Sequence, residues 1–356
     1  MASIEASRAF AATAVVLMHA ANAMRVEHFS GHVGLMQIFD FGYVGVDFFF
    51  VLSGFIITYV HFGDIGQIGK IPSYLWRRFS RIFPIYWVIL LLVILVTTCG
   101  RLATGKEIGF EIGINDIAGT IFLLISADTP KYVGPAWSLQ FELMFYISFC
   151  LLLFSSRIGA LLYTLWGVFA VTQVLGLVQY QFSIPFGNAH CLQFLFGVVV
   201  GVIARRHHLQ ASQKTLALVL AIFVMGLIFE VYGPLGRHSG IGRIVLGLAS
   251  SIVLATLVGL ENNCKIQTPQ WLVRMGSVSY SIYLGHILFV NLAYMVLLKL
   301  GIYHALPEIF VFVIGITVAL TATSLIGFYV ELPLVNTLKN YWIVADKLKI
   351  DNHFKK

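Results

Sequence analysis

The sequence predicts an all-α fold: a polytopic membrane bundle of about ten transmembrane helices, with both the N-terminus and the C-terminus in the cytoplasm. Three observations lead to this prediction. Hydrophobic residues make up 59% of the 356 residues and charged residues only 11%, and the mean hydropathy is +0.88. Apolar runs long enough to cross a bilayer recur along the chain. Lys and Arg are divided unequally between the two sides that these runs define.

Ten apolar segments have the length that a transmembrane helix needs. They lie at about residues 8–27, 42–62, 83–99, 138–155, 158–178, 188–204, 215–231, 243–260, 277–298 and 308–330. The stretch 112–125 is also apolar but is shorter, and we interpret it as a re-entrant or interfacial piece.

The basic residues orient these segments. With ten spans and a cytoplasmic N-terminus, 16 of the 23 Lys and Arg residues fall on the cytoplasmic side and 7 on the far side. Residues 1–338 then form the membrane-embedded domain, and residues 339–356 form an amphipathic tail on the cytoplasmic surface. The net charge of +7 therefore indicates loop topology and not a nucleic-acid partner. The four cysteines lack the spacing of a disulfide framework or a metal site, so we expect no bound metal.

The first predicted span carries Arg8 and His19, which are eleven residues apart. Three helical turns return them to nearly the same face, with His19 about 16 Å farther along the helix. An ionisable side chain at that depth normally faces a protein interior or a wet cavity, which makes His19 a candidate for catalysis. Two alternatives stay open: a structural histidine bonded to a neighbouring helix, or a secretory signal ending at the A-N-A sequence of residues 21–23.

The next two spans carry further charged candidates. Asp47 lies inside the second span, where a carboxylate is either functional or paired with a base on another helix. Arg78 and Arg81 precede a third span that we expect Pro84 to open at its first turn. Guanidinium groups bind phosphate oxygens in a bidentate manner, so this pair could hold a phosphate. The alternative is a basic anchor at the membrane boundary.

Polar residues also interrupt the fourth and ninth spans. Glu142 falls in the second turn of the fourth span, near the far membrane face, where it could contact a polar acceptor or pair with another helix. Ser279, Tyr283 and His286 recur at i, i+4 and i+7, which places them in one stripe on the ninth helix. Such a stripe either connects helices by hydrogen bonds or supports a site.

Taken together, these stretches resemble the membrane-bound acyltransferase-3 family, and its exopolysaccharide acetyltransferase (ExoZ-like) branch in particular. Five of the family's motifs occur in the family's order, and the resemblance extends from about residue 4 to residue 335. The matching stretches are Arg8 with His19, Gly45 to Phe55, Arg78 with Arg81, Trp137 to Glu142, and Ser279 to His286. The chain departs from many members at Leu143, where they carry a second glutamate.

The resemblance implies an enzyme of the bacterial inner membrane that transfers an acyl group, most simply acetyl, to a hydroxyl of a carbohydrate such as exopolysaccharide or O-antigen. Acetyl-coenzyme A or another acyl-coenzyme A would be the donor substrate, with no permanently bound cofactor. The expected partners are the lipid bilayer, the donor, the carbohydrate acceptor and polysaccharide-assembly proteins.

The resemblance also gives the candidate residues roles. His19 would be the general base or an acyl relay, Arg8 would bind the donor or stabilise charge, and Glu142 would face the acceptor. Arg78 and Arg81 would bind the donor. The supporting polar residues would be Asp47, Ser279, Tyr283 and His286.

A different class of protein competes with this interpretation. In a secondary transporter or flippase for a lipid-linked glycan or small molecule, His19, Asp47 and Glu142 could form a proton relay. Transporters of this kind often consist of two related halves, and we find no internal repeat in the sequence.

Overall fold

The computed structural model of the chain describes residues 1–26, 35–103, 114–124, 132–179, 186–233, 239–263 and 266–340. These residues are predominantly helical and contain no β-strand, which confirms the predicted all-α class. Their α-helices, in chain order, are α1 (Ala2–Met24), α2 (Val44–His61), α3 (Ile71–Ala103), α4 (Ile114–Phe122), α5 (Trp137–Phe154), α6 (Ser156–Val174), α7 (Ala189–Arg206), α8 (Gln213–Tyr232), α9 (Gly240–Asn262), α10 (Gln270–Ser277), α11 (Ser279–Lys299) and α12 (Glu308–Ile326).

Nine helices in the described ranges are long and apolar enough to cross a membrane. They contain α2, α3, α5 to α9, α11 and α12, and so correspond to the second to tenth predicted spans. At 23 residues α1 is also long enough, but its polar residues, including Arg8, His19 and Asn22, lower its hydropathy. The chain is therefore a multi-pass membrane protein.

Helix α1 packs against α2, α9, α10, α11 and α12. Its N-terminus is fixed by Glu261 near the end of α9, whose carboxylate accepts the backbone N–H groups of Ala2 at 2.7 Å and Ser3 at 3.1 Å. These donors have no partner within their own helix, and the carboxylate also suits the positive end of the helix dipole. The contacts place Arg8 and His19 inside the bundle instead of on its lipid-facing side.

Small residues allow a close helix crossing between α2 and α7. A Cβ atom added to Gly54 would overlap the carbonyl oxygen of Phe194, and one added to Gly197 would overlap that of Val51. Close backbone approach at glycine is a common way to pack helices in membranes. The crossing fixes the position of α2, whose other residues line the site described below.

Helix α3 corrects the predicted start of the third span. It begins at Ile71 and runs for 33 residues, with Pro84 inside it and not at its first turn. Arg78 and Arg81 consequently lie two to three turns inside the helix instead of before it.

Two other predicted segments are described in part. Helix α4 has nine residues and a length of about 13 Å, which is too short to cross a bilayer. At the other end, one π-helical turn at Gly327–Glu331 follows α12, and helical residues continue to Asn340. The predicted amphipathic tail lies outside the described residues from residue 341 onward.

Candidate active site

A cavity of about 200 Å³ lies between α1, α2, α3, α5 and α11. Its walls combine apolar side chains of α2 with ionisable and hydroxyl-bearing side chains from the other four helices. Six of the predicted site residues line it: Arg8, Arg78, Arg81, Glu142, Ser279 and Tyr283. Helices that are far apart in the sequence therefore bring most of the candidates to one place.

Arg8 is held in this cavity by the polar stripe of α11. The residue is 8% exposed, and its Nε donates a hydrogen bond to Ser279 Oγ at 3.1 Å. Glu5, one turn earlier on α1, places a carboxylate oxygen 3.8 Å from a terminal nitrogen of Arg8. One guanidinium is thus oriented by a hydroxyl and partly balanced by a carboxylate.

Arg78 and Arg81 present guanidinium groups from α3. The Arg78 guanidinium lies 5.6 Å from the ring centre of Tyr74 and 5.3 Å from that of Tyr146, and its buried Nε has no hydrogen-bond partner. Within the described part of the chain, the Arg81 side chain makes no hydrogen bond or ion pair. Both groups therefore keep donors available for an anionic ligand.

Glu142 lies in the same cavity as these arginines, and its carboxylate accepts a hydrogen bond from the Tyr146 hydroxyl. The structure therefore brings Glu142 together with Arg78 and Arg81, whereas the sequence suggested separate locations for them. Helix α3 begins thirteen residues before Pro84, so Arg78 and Arg81 belong to a continuous helix that lines this cavity.

His19 and His286 form a contact pair between α1 and α11. The His286 side chain is fully buried, and its Nε2 lies 3.1 Å from His19 Nδ1. Each Nδ1 also faces a helix carbonyl, that of Val15 at 3.0 Å for His19 and that of Ile282 at 3.1 Å for His286. A carbonyl only accepts, so we assign a proton to both Nδ1 atoms. The single Nδ1 hydrogen of His19 is then shared between the Val15 carbonyl and His286 Nε2, both of which accept, and the Nε2 of His19 carries a free lone pair.

The histidine pair lies behind one wall of the cavity. Neither histidine lines it, but Tyr283 does, and the ring centre of Tyr283 is 6.2 Å from that of His286. The Tyr283 hydroxyl is bonded to that of Ser138 at 2.8 Å. Along the continuous helix α1, His19 lies about 16 Å beyond Arg8, so the two side chains serve different ends of the site.

Asp47 belongs to a separate polar cluster. It is fully buried, and one carboxylate oxygen accepts hydrogen bonds from Arg243 at 2.8 Å and from Gln193 at 2.9 Å. Of the two alternatives stated for Asp47, the structure therefore contains the ion pair with a base on another helix. Because Asp47, Glu142 and His19 have different partners, the described structure does not join them into one proton relay.

The family model for the acyltransferase domain matches residues 1–328. The chain belongs to the acyltransferase-3 family. It is 27% identical over 259 residues to the exopolysaccharide production protein ExoZ of Rhizobium meliloti (strain 1021), an alignment that covers 70% of this chain and 76% of that protein. No solved structure matches the chain.

Two other relatives support the same class of activity. A protein of Staphylococcus aureus (strain COL), provisionally named an O-acetyltransferase, is 29% identical over 69% of this chain, which spans 45% of that relative's length. The acyltransferase MdmB of Streptomyces mycarofaciens is 23% identical over 81% of this chain and 79% of its own length. With the membrane helices, these relatives support assigning the chain as an integral membrane O-acyltransferase.

Sequence reasoning did not assign Glu331 to the acyltransferase's site region. This carboxylate is 2% exposed and accepts hydrogen bonds from the backbone N–H of Ser281 at 3.0 Å and from its hydroxyl at 2.6 Å. Electrostatic interactions link it to both Arg8 and Arg81. The signal in the sequence is a carboxylate directly after the tenth predicted span, where a helix would be expected to end. The π-helical turn instead keeps Glu331 inside a helix that continues.

Proposed function

We propose that this acyltransferase transfers an acetyl group from acetyl-coenzyme A to a hydroxyl of a surface carbohydrate in the bacterial inner membrane. The single observation that supports the donor most directly is the pair of arginines, Arg78 and Arg81, whose guanidinium groups lack hydrogen-bond partners in one buried cavity. Phosphate groups are the ligands for which such forks are suited. The names of the relatives support acetyl as the group and a polysaccharide as the acceptor.

The donor would enter the cavity with its phosphates at Arg78 and Arg81 and its thioester directed toward the histidine pair. Arg8 is too far along α1 to stabilise charge at His19, and it shares the cavity with the other two arginines. Of its two expected roles we therefore favour donor binding. Glu142, in the same cavity, would contact the donor instead of the acceptor.

His19 would act as the general base. Its Nε2 lone pair would take the proton of the carbohydrate hydroxyl while that oxygen attacks the thioester carbonyl carbon. A C–O bond forms, the C–S bond breaks, and the coenzyme A thiolate leaves with a proton returned from the imidazole. His286 would orient His19 by accepting a hydrogen bond from its Nδ1–H, as a neighbouring group does for catalytic histidines in general.

The acceptor would reach His19 from the side opposite to the donor cavity. This direction of approach is supported by the placement of the histidine pair behind Tyr283, outside the residues that line the cavity. With the predicted cytoplasmic N-terminus, the His19 end of α1 lies toward the far face, where a surface carbohydrate would be found.

A kinetic measurement on the double variant Arg78→Lys/Arg81→Lys tests the donor site. Lysine retains the charge but offers a point charge where arginine offers a fork, so the KM for acetyl-coenzyme A should rise about tenfold to a hundredfold. The acceptor KM should stay within about twofold. The assay would follow acetyl-coenzyme A consumption by purified protein in nanodiscs with a sugar acceptor.

The matched control is Arg205→Lys/Arg206→Lys, at the exposed end of α7, where two arginines lie near aromatic rings outside the cavity. This variant should keep the donor KM of the unmodified protein. An unchanged donor KM in Arg78→Lys/Arg81→Lys would return these residues to the role of membrane anchors. Failure of the unmodified protein to consume acetyl-coenzyme A with any sugar would count against the proposed donor.

A further inference from the structure

Tyr280 lines the cavity and has a hydroxyl group to which no role has been assigned. It is the second residue of α11 and is 8% exposed. Within the described residues its hydroxyl oxygen is buried and has no hydrogen-bond partner. A buried hydroxyl without a partner is unfavourable, and most such groups in folded proteins are paired. The Tyr280 hydroxyl is therefore a donor for which a ligand could supply the hydrogen-bond acceptor.

The hydroxyl groups of the other tyrosines around the cavity do have hydrogen-bond partners. Tyr146 donates to Glu142, and Tyr283 is bonded to Ser138. Glu142, the carboxylate with the largest electrostatic effect on Tyr280, already accepts from Tyr146 and makes no hydrogen bond with Tyr280. The Tyr280 hydroxyl is thus left over after the protein's own pairs are formed.

The backbone on both sides of Tyr280 is fixed. Ser279 accepts the hydrogen bond from Arg8, and Ser281 donates two hydrogen bonds to the buried Glu331. Side chains whose supporting residues are locked in this way are preorganised and lose little entropy when a ligand binds. The unpaired hydroxyl is accordingly held in place before any ligand arrives.

We propose that the Tyr280 hydroxyl donates a hydrogen bond to a phosphate oxygen of the acyl donor, within the site formed by Arg78 and Arg81. This inference rests on the proposed function. Arg78, Arg81 and Tyr280 all line the cavity, the Tyr280 hydroxyl has no partner, and a phosphate group carries several acceptor oxygens. Arg81 lines the same cavity and is among the charged groups that act electrostatically on Tyr280.

Binding of coenzyme A to Tyr280→Phe tests this inference. Phenylalanine keeps the ring that forms the cavity wall and removes only the hydroxyl. Isothermal titration of the full chain in nanodiscs should show about a tenfold to a hundredfold higher Kd for coenzyme A, the effect of losing one hydrogen bond to a charged group. Pantetheine, which has the thiol arm but no phosphate, should bind this variant and the unmodified protein equally.

The matched control is Tyr294→Phe on the same helix. Tyr294 is fully buried, and its hydroxyl donates to the Ala20 carbonyl at 3.3 Å, away from the residues that line the cavity. Its coenzyme A affinity should equal that of the unmodified protein.

The outcomes separate this inference from the proposed function. If the unmodified protein binds coenzyme A and Tyr280→Phe binds it equally well, the role of Tyr280 is refuted and the donor site survives. The role is also refuted if Tyr280→Phe weakens pantetheine as much as coenzyme A, or if only the acceptor KM changes. If the unmodified protein does not bind coenzyme A, the proposed donor itself is wrong.

Discussion

Polar residues inside this bundle are stabilised by a few specific partners. Glu331 is an example, because a single carboxylate satisfies two donors of one residue. Its carboxylate satisfies the backbone N–H and the hydroxyl of Ser281, at the start of the helix that also carries Ser279 and His286. A buried carboxylate in a membrane span is costly unless it is bonded, so its position marks a structural requirement of the site.

Two substitutions of Glu331 should separate its hydrogen bonds from its charge. In Glu331→Leu both donors of Ser281 lose their acceptor, which should cost about 1–3 kcal/mol for each buried group left unpaired. In Glu331→Gln the amide oxygen can still accept both bonds, so much of that loss should be avoided. The midpoint of thermal unfolding in detergent should therefore fall more for Leu than for Gln. Equal midpoints for the two variants would contradict the structural role.

At the residue scale, the sequence could indicate candidate side chains but not which of them meet. Arg8, Arg78 and Arg81 stand out as bases in or beside apolar runs, and the structure places all three in one cavity. The partner of Asp47 could not be predicted, because Arg243 lies 196 residues away, at the start of another predicted span. Tertiary partners of this kind depend on helix packing, which no local pattern specifies.

At the scale of the helices, the crossing of α2 with α7 depends on glycine. Gly197→Ala should destabilise the protein by about 1–3 kcal/mol, because its Cβ would overlap the Val51 carbonyl and force the helices apart. Gly100→Ala in α3 is the matched control, since a Cβ there meets no atom within 4 Å. Thermal midpoints in detergent would show the difference. A Gly197→Ala protein as stable as Gly100→Ala would mean that the crossing is looser than described.

The ends of the helices were the least predictable elements. Pro84 suggested a helix start, since proline is favoured in a first turn, but α3 begins thirteen residues earlier. The sequence before Pro84 is rich in arginine and aromatic residues, so its hydropathy alone does not reveal a helix. At Glu331 a charged residue suggested a helix end, whereas a π-helical turn keeps the residue within a longer helix.

For the whole molecule, the positions and order of the second to tenth predicted spans followed from hydropathy, because a bilayer requires long apolar helices. The orientation remains a prediction that rests on the distribution of Lys and Arg. The orientation determines which face of the protein is accessible to an acyl donor in the cytoplasm.

Cysteine labelling in intact cells tests that orientation. In a variant without native cysteines, Leu177→Cys, after α6, should react with a membrane-impermeant thiol reagent, whereas His208→Cys, after α7, should not. Both positions are exposed, at 72% for Leu177, so access to the side chain does not distinguish them. Labelling of His208→Cys in intact cells, with Leu177→Cys protected, would reverse the predicted topology.

The central claim is that His19 serves as the base for transfer of an acetyl group to a surface carbohydrate. The O-acetyl content of that polysaccharide would be measured in a strain lacking this gene and complemented with the unmodified protein or with His19→Ala. Equal amounts of both proteins in the membrane should be confirmed. An intact mass would show whether residues 1–23, and thus Arg8 and His19, remain in the mature chain.

We predict that the unmodified protein restores O-acetylation and that His19→Ala restores about 1% of it or less, since a general base contributes about a hundredfold to ten-thousandfold to the rate. The apolar helix loses only one polar group, so the variant should still fold and insert. O-acetylation by His19→Ala at the level of the unmodified protein would contradict the assignment and make His286 the candidate base.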